Sequence, residues 1–75
     1  MNKKREKFVR LATKRVEVTI YKLRLIGNLS DKRYYEYSQE DVKQIISALN
    51  KELRLIKSKF QNSNSQKETE FKLET

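Results

Sequence analysis

SQEDVKQIISALNKELRLIKSKF, residues 38–60, is the stretch that decides the fold. Ser38 with Asp41 three residues later is the arrangement of a capping box, in which each side chain satisfies a backbone N–H left free at a helix start. Glu40 and Asp41 also place negative charge in the first turn, where the helix dipole favours it. Val42, Ile46, Leu49, Leu53, Ile56 and Phe60 then follow at spacings of 4, 3, 4, 3 and 4, a heptad-like seam over nearly three heptads, widened by Ile45. The spacing predicts a helix over about residues 39–60 with one apolar face. The seam is shorter than a free-standing coiled coil requires, so antiparallel pairing with another helix of the same chain is its expected use.

Upstream, Phe8, Val9, Ala12, Val16, Thr19, Ile20, Leu23 and Ile26 recur at spacings of three and four, which places them on one face of a helix running from about Lys4 to Ile26. The chain has no proline and a single glycine, Gly27. Glycine takes the left-handed C′ conformation without steric penalty, so the first helix is expected to stop there. Asn28, Ser30 and Asp31 bond locally to backbone and favour a turn. The expected fold is all-α: an antiparallel two-helix hairpin over residues 1–60, with helix 1 at about 4–26, a connection at 27–37 and helix 2 at about 39–60. Two such hairpins could dimerise into a four-helix arrangement. After Phe60 the sequence turns to Gln61-Asn62-Ser63-Asn64-Ser65-Gln66 and then to a Glu/Lys-rich end whose large apolar residues are Phe71 and Leu73. Residues 61–75 are therefore expected to be a disordered tail.

Only 36% of residues are hydrophobic against 37% charged, so the core is expected to be thin and a partner or self-association to be needed. Without cysteine or histidine there is no disulfide or thiolate site, and the commonest metal ligand and general base are missing. The chain has no P-loop, no glycine-rich phosphate cradle and no HExxH pattern, and Glu6, Glu17, Glu40, Asp41 and Glu52 are placed as ordinary helix-surface or capping residues. The expectation is a protein that is not an enzyme, with no catalytic residue, metal or cofactor. The opening Met1-Asn2-Lys3-Lys4-Arg5-Glu6-Lys7 looks like a signal-peptide start, but Arg10, Lys14 and Arg15 interrupt the apolar run that should follow. No stretch approaches the ~18 apolar residues of a membrane span. The expected location is cytoplasmic, away from any membrane, and Asn28-Leu29-Ser30 reads as a turn rather than a glycosylation site.

The net charge of +8 is unevenly spread. Residues 1–26 carry nine basic and two acidic groups, residues 27–37 two of each, residues 38–60 five and three, and residues 61–75 two and three. Helix 1 thus holds most of the basic surface, with Arg10, Lys14, Arg15, Lys22 and Arg24 as candidates to meet the phosphates of DNA or RNA. Other readings of the same strip are a solubilising face or a surface for an acidic protein partner. Leu11, Val18 and Leu25, spaced by seven on the side away from the main stripe, are a candidate homodimer or partner seam, and Leu55 lies similarly off the main stripe of helix 2. In the connection, Lys32-Arg33-Tyr34-Tyr35-Glu36-Tyr37 interleaves cations with rings. Lys32 and Arg33 could contact phosphate while Tyr34 and Tyr35 stack on unpaired bases. The simpler expectation is that the tyrosines fold onto the thin core. Tyr37 stands at N′ and is placed to staple onto Val42.

Arg24-Leu25-Ile26-Gly27-Asn28-Leu29-Ser30, with Tyr35-Glu36-Tyr37-Ser38 and Glu40-Asp41-Val42, resembles short uncharacterised basic helical proteins of bacteria. The resemblance covers about residues 7–60. It implies a self-contained helix–turn–helix-sized unit and a bacterial or phage-like source, and it carries no functional residue across. The expected function is that of a nucleic-acid-associated accessory factor contacting phosphates through helix 1. The alternative is a protein-interaction module, a small subunit or inhibitor, that docks on an acidic or apolar surface.

Overall fold

The computed structural model describes the backbone of residues 2–74 and the side chains of residues 2–63. The chain is all-α, as the periodicity predicts: α1 spans Lys3–Asn28 and α2 spans Gln39–Glu74, with no strand among the described residues. The two helices belong to separate units, Met1–Glu36 and Tyr37–Thr75.

In the first unit, α1 starts from a cap at Asn2, two residues before the start expected from periodicity. Asn2 has extended backbone, with φ −77° and ψ 159°, and its Oδ1 accepts the Arg5 N–H at 2.7 Å. The Asn2 carbonyl accepts the Glu6 N–H at 3.2 Å, and Glu6 places a negative charge in the first turn. Midway along, the Thr19 hydroxyl donates to the Arg15 carbonyl at 2.7 Å, which satisfies a polar β-branched residue inside the helix.

The expected stop at Gly27 does not occur. The glycine lies inside the last turn of α1, the helix runs to Asn28, and no residue among those described has positive φ. The C-cap Leu29 is right-handed, with φ −69° and ψ −7°. Leu29 donates its N–H to the Ile26 carbonyl at 3.0 Å and Ser30 donates to the Gly27 carbonyl at 3.1 Å. These bonds tighten the last turn and satisfy carbonyls that a left-handed cap would otherwise serve.

In the second unit the capping box is present in both directions. The Ser38 N–H donates to Asp41 Oδ2 at 2.8 Å, the Asp41 N–H donates to Ser38 Oγ at 3.1 Å, and the Val42 N–H donates to the Ser38 carbonyl at 3.2 Å. Tyr37 and Val42, the two positions of the staple, are both half-buried. However, α2 does not stop at Phe60, where periodicity is lost; its helical backbone continues to Glu74. The physical reason is that Gln61, Asn62 and Ser63 end the apolar face without ending the helix, since such residues cost at most about 0.7 kcal/mol each relative to Ala and neither Gly nor Pro intervenes. Of the expected tail, residues 61–63 are helical, and the side chains of residues 64–75 lie outside the described residues.

No residue is buried among those described, so the expected thin core is not found there. The seam of α2 is half-buried at Val42 and Leu49 and open at Leu53, which is 62% exposed, and Phe60, 59% exposed. The main stripe of α1 is likewise exposed at Phe8, Val9, Val16, Ile20, Leu23 and Ile26. The apolar rows that periodicity predicts are therefore intact as patterns on each helix.

Gly27→Ala tests the end of α1. A Cβ at residue 27 meets nothing within 4 Å, and the backbone there is helical, so the variant is expected to gain roughly 0.5–1 kcal/mol in helical stability. Thermal unfolding followed by circular dichroism measures this; a lower midpoint would mean that Gly27 is left-handed. Ser38→Ala is expected to lower the stability of α2 by about 0.5–2 kcal/mol in the same measurement, because the Asp41 N–H loses its acceptor, the Ser38 hydroxyl.

Candidate nucleic-acid interface

Seven of the nine cations of α1 fall into two rows, while Lys7 shares the line of Leu25 and Arg5 that of the apolar stripe. Lys4 and Lys22 are 18 residues apart, five turns of a helix with 3.6 residues per turn, so they share one line about 27 Å long. Arg15, eleven residues after Lys4 and seven before Lys22, lies within roughly 20° of that line. No carboxylate belongs to this row.

The second row holds Lys3, Arg10, Lys14 and Arg24, and it shares its side of the helix with both carboxylates of α1. Glu6 precedes Arg10 by four residues and Arg24 by 18, while Glu17 stands seven residues from each of these arginines. Between the two rows run Leu11, Val18 and Leu25, with Leu11 half-buried and the other two exposed. The five candidate cations of α1 thus form two strips on either side of a narrow apolar seam. Among the described residues, no cation of α1 lies within ion-pair distance of Glu6 or Glu17. Arg5 leans along the apolar stripe instead, its guanidinium carbon 5.8 Å from the centre of the Phe8 ring.

The connection is organised around Asp31. Its Oδ1 accepts the Arg33 N–H at 3.0 Å and Arg33 Nε at 3.0 Å, and its Oδ2 accepts Arg33 Nη2 at 2.7 Å. Its carbonyl accepts the N–H groups of Tyr34 and Tyr35, both at 3.1 Å. The forked pair neutralises Arg33, whose guanidinium also lies over the Tyr34 ring at 5.6 Å. Arg33 therefore enters any phosphate contact already paired, unlike the cations of α1. Lys32, its expected companion, is also engaged within the chain.

The tyrosines do not fold onto a core as the simpler expectation had it. Tyr34 is 75% exposed and Tyr35 is also exposed, leaving only Tyr37 half-buried. The reason lies in the turn itself: the N–H groups of Tyr34 and Tyr35 are both held by the Asp31 carbonyl, which fixes the two residues in a tight local path. Both rings are accessible for stacking.

Among the described residues, no group of three or more Asp and Glu side chains is placed to hold a metal ion. Nor, among the described residues, is any helix long and apolar enough to cross a membrane.

The turn is expected to be acid-sensitive. The Arg33 side chain, and then the Arg33 N–H, hold the Asp31 carboxyl below its ordinary value, while Asp31 raises Arg33 in return. A depressed carboxyl stabilises the turn above its unfolded pKa, about 3.9, and that contribution disappears as pH falls through the lower folded value. An NMR titration should therefore place the Asp31 midpoint below the ordinary range, with the Arg33 side-chain N–H losing protection from exchange along the same curve. A midpoint at the ordinary value would mean that the pair is not formed. Because the pair is exposed, salt should weaken the effect. No known protein family, curated protein or solved structure matches the chain.

Proposed function

We propose that this chain is a non-enzymatic accessory protein that binds nucleic acid through α1, contacting phosphates with Lys4, Arg15 and Lys22 and, more weakly, with Arg10, Lys14 and Arg24. The observation that carries this reading is the excess of nine cations over two carboxylates in residues 1–26, with no ion pair joining them among the described residues of the helix. A cation without an internal partner keeps its full attraction for phosphate, and each phosphate it neutralises releases condensed counterions. The acid-free row has the stronger field, since Glu6 and Glu17 offset the other. Along the helix axis its charges stand roughly 16 and 11 Å apart, intervals comparable with the ~12 Å width of a DNA major groove. Such contacts read backbone and not base edges, so the binding is weakly selective for sequence. The lack of cysteine fits action in the reducing cytoplasm.

With four to six phosphate contacts, log K against log salt should fall with a slope of about −4 to −5 on duplex DNA. Replacing Lys4, Arg15 and Lys22 with Gln should reduce that slope by about 2 to 3 units and weaken binding equally for unrelated sequences, with helical circular dichroism unchanged. Replacing Arg10, Lys14 and Arg24 should cost less. Fluorescence anisotropy at low salt is the measurement. No change with DNA or RNA would overturn the proposal in favour of a docking module, whose association would resist salt and be lost when Leu11, Val18 and Leu25 become Gln.

A further inference from the structure

We infer that α2 pairs with α2 of a second copy of this chain, parallel and in register, through the seam Val42, Ile46, Leu49, Leu53, Ile56 and Phe60. In heptad terms Val42, Leu49 and Ile56 are d positions, and Ile46, Leu53 and Phe60 are a positions. Every one of these side chains is half-buried or exposed in the chain, and they lie on an uninterrupted helix that continues past the seam to Glu74.

The charges beside the seam choose the occupant. Lys43, Asn50 and Lys57 take the e positions, and Ile45, Glu52 and Lys59 take the g positions. In a parallel pair, each g residue faces the partner's e residue five positions later, so Glu52 meets a lysine at position 57 on both sides of the twofold axis. No like charges among residues 42–60 are brought together in this register. The antiparallel pairing that overlaps all six apolar layers sets e against e and g against g. That places Lys43 opposite a lysine twice and Glu52 opposite a glutamate once. The seam is therefore self-complementary in one direction and mismatched in the other. This pairing does not depend on α1 binding phosphate.

The absence of cysteine makes the register directly measurable. Ser63, the next d position after Ile56, and Ser58, an outward-facing f position, are both exposed serines that cysteine replaces with little change in volume. The experiment compares full-length Ser63→Cys and Ser58→Cys in a glutathione redox buffer, with sedimentation of the wild type over a range of concentrations. The expected result is a mass of two 9.1-kDa chains at high concentration and rapid disulfide cross-linking of Ser63→Cys only, because d residues of parallel partners face each other within disulfide reach. Lys57→Glu should raise the dimer dissociation constant roughly tenfold by opposing like charges, and the double change Glu52→Lys with Lys57→Glu should restore it. A monomer at all concentrations would overturn the inference, as would an assembly larger than two chains. So would a dimer in which neither cysteine cross-links or both do equally, which is the signature of antiparallel or α1-mediated association.

Discussion

An α-helix can satisfy its own backbone, but its apolar side chains can be covered only by something beyond it, and this constraint governs the chain. Neither α1 nor α2 contains a buried residue among those described, although each carries an ordered apolar row. Helices of this kind draw most of their stability from packing of the amphipathic face, with propensity contributing less. Fully covering a Leu, Ile or Phe side chain contributes about 1.5–3 kcal/mol, so the α2 seam holds many times the energy of either end cap. The caps decide where the helices begin; coverage of the rows decides how stable they are.

Charge is arranged around the same rows. Lys4, Arg15 and Lys22 run along one border of the narrow Leu11, Val18 and Leu25 seam, and Arg10, Lys14 and Arg24 along the other, with Glu6 and Glu17 on the second side only. The result is a helix with two basic strips that differ in make-up: the second also holds Lys3, but only it carries carboxylates. In the connection the opposite arrangement holds, since Asp31 takes up Arg33 within two residues. Local neutralisation there keeps the strongest positive field on α1.

Elements set by short-range chemistry were legible in the sequence. Ser38 and Asp41 announced a capping box that is present bond for bond, and spacings of three and four correctly marked both stretches as helical. The misreadings came where a residue type permits more than one outcome. Gly27 can end a helix or sit inside one, and the bonds from Leu29 and Ser30 to Ile26 and Gly27 settle which. Polar residues after Phe60 mark the end of an apolar face, which is a different event from the end of a helix. Asn2 is a cap with only charged residues in the turn that follows, so no apolar period marks it as a helix start. In the candidate site, the cations themselves could be read from composition, but their division into two rows required the helical phase, and the commitment of Arg33 to Asp31 required coordinates.

Gly27 also gives α1 a reserve of slack. It is the least favourable residue for a helix interior apart from proline, it stands one position before the helix end, and no basic residue in the last turn opposes unwinding through the dipole. Residues 27 and 28 are therefore the cheapest part of α1 to release. Each spans about 1.5 Å in the helix and up to ~3.5 Å when extended, so letting both go lengthens the tether to α2 by about 4 Å while the rows from Lys4 to Arg24 keep their phase.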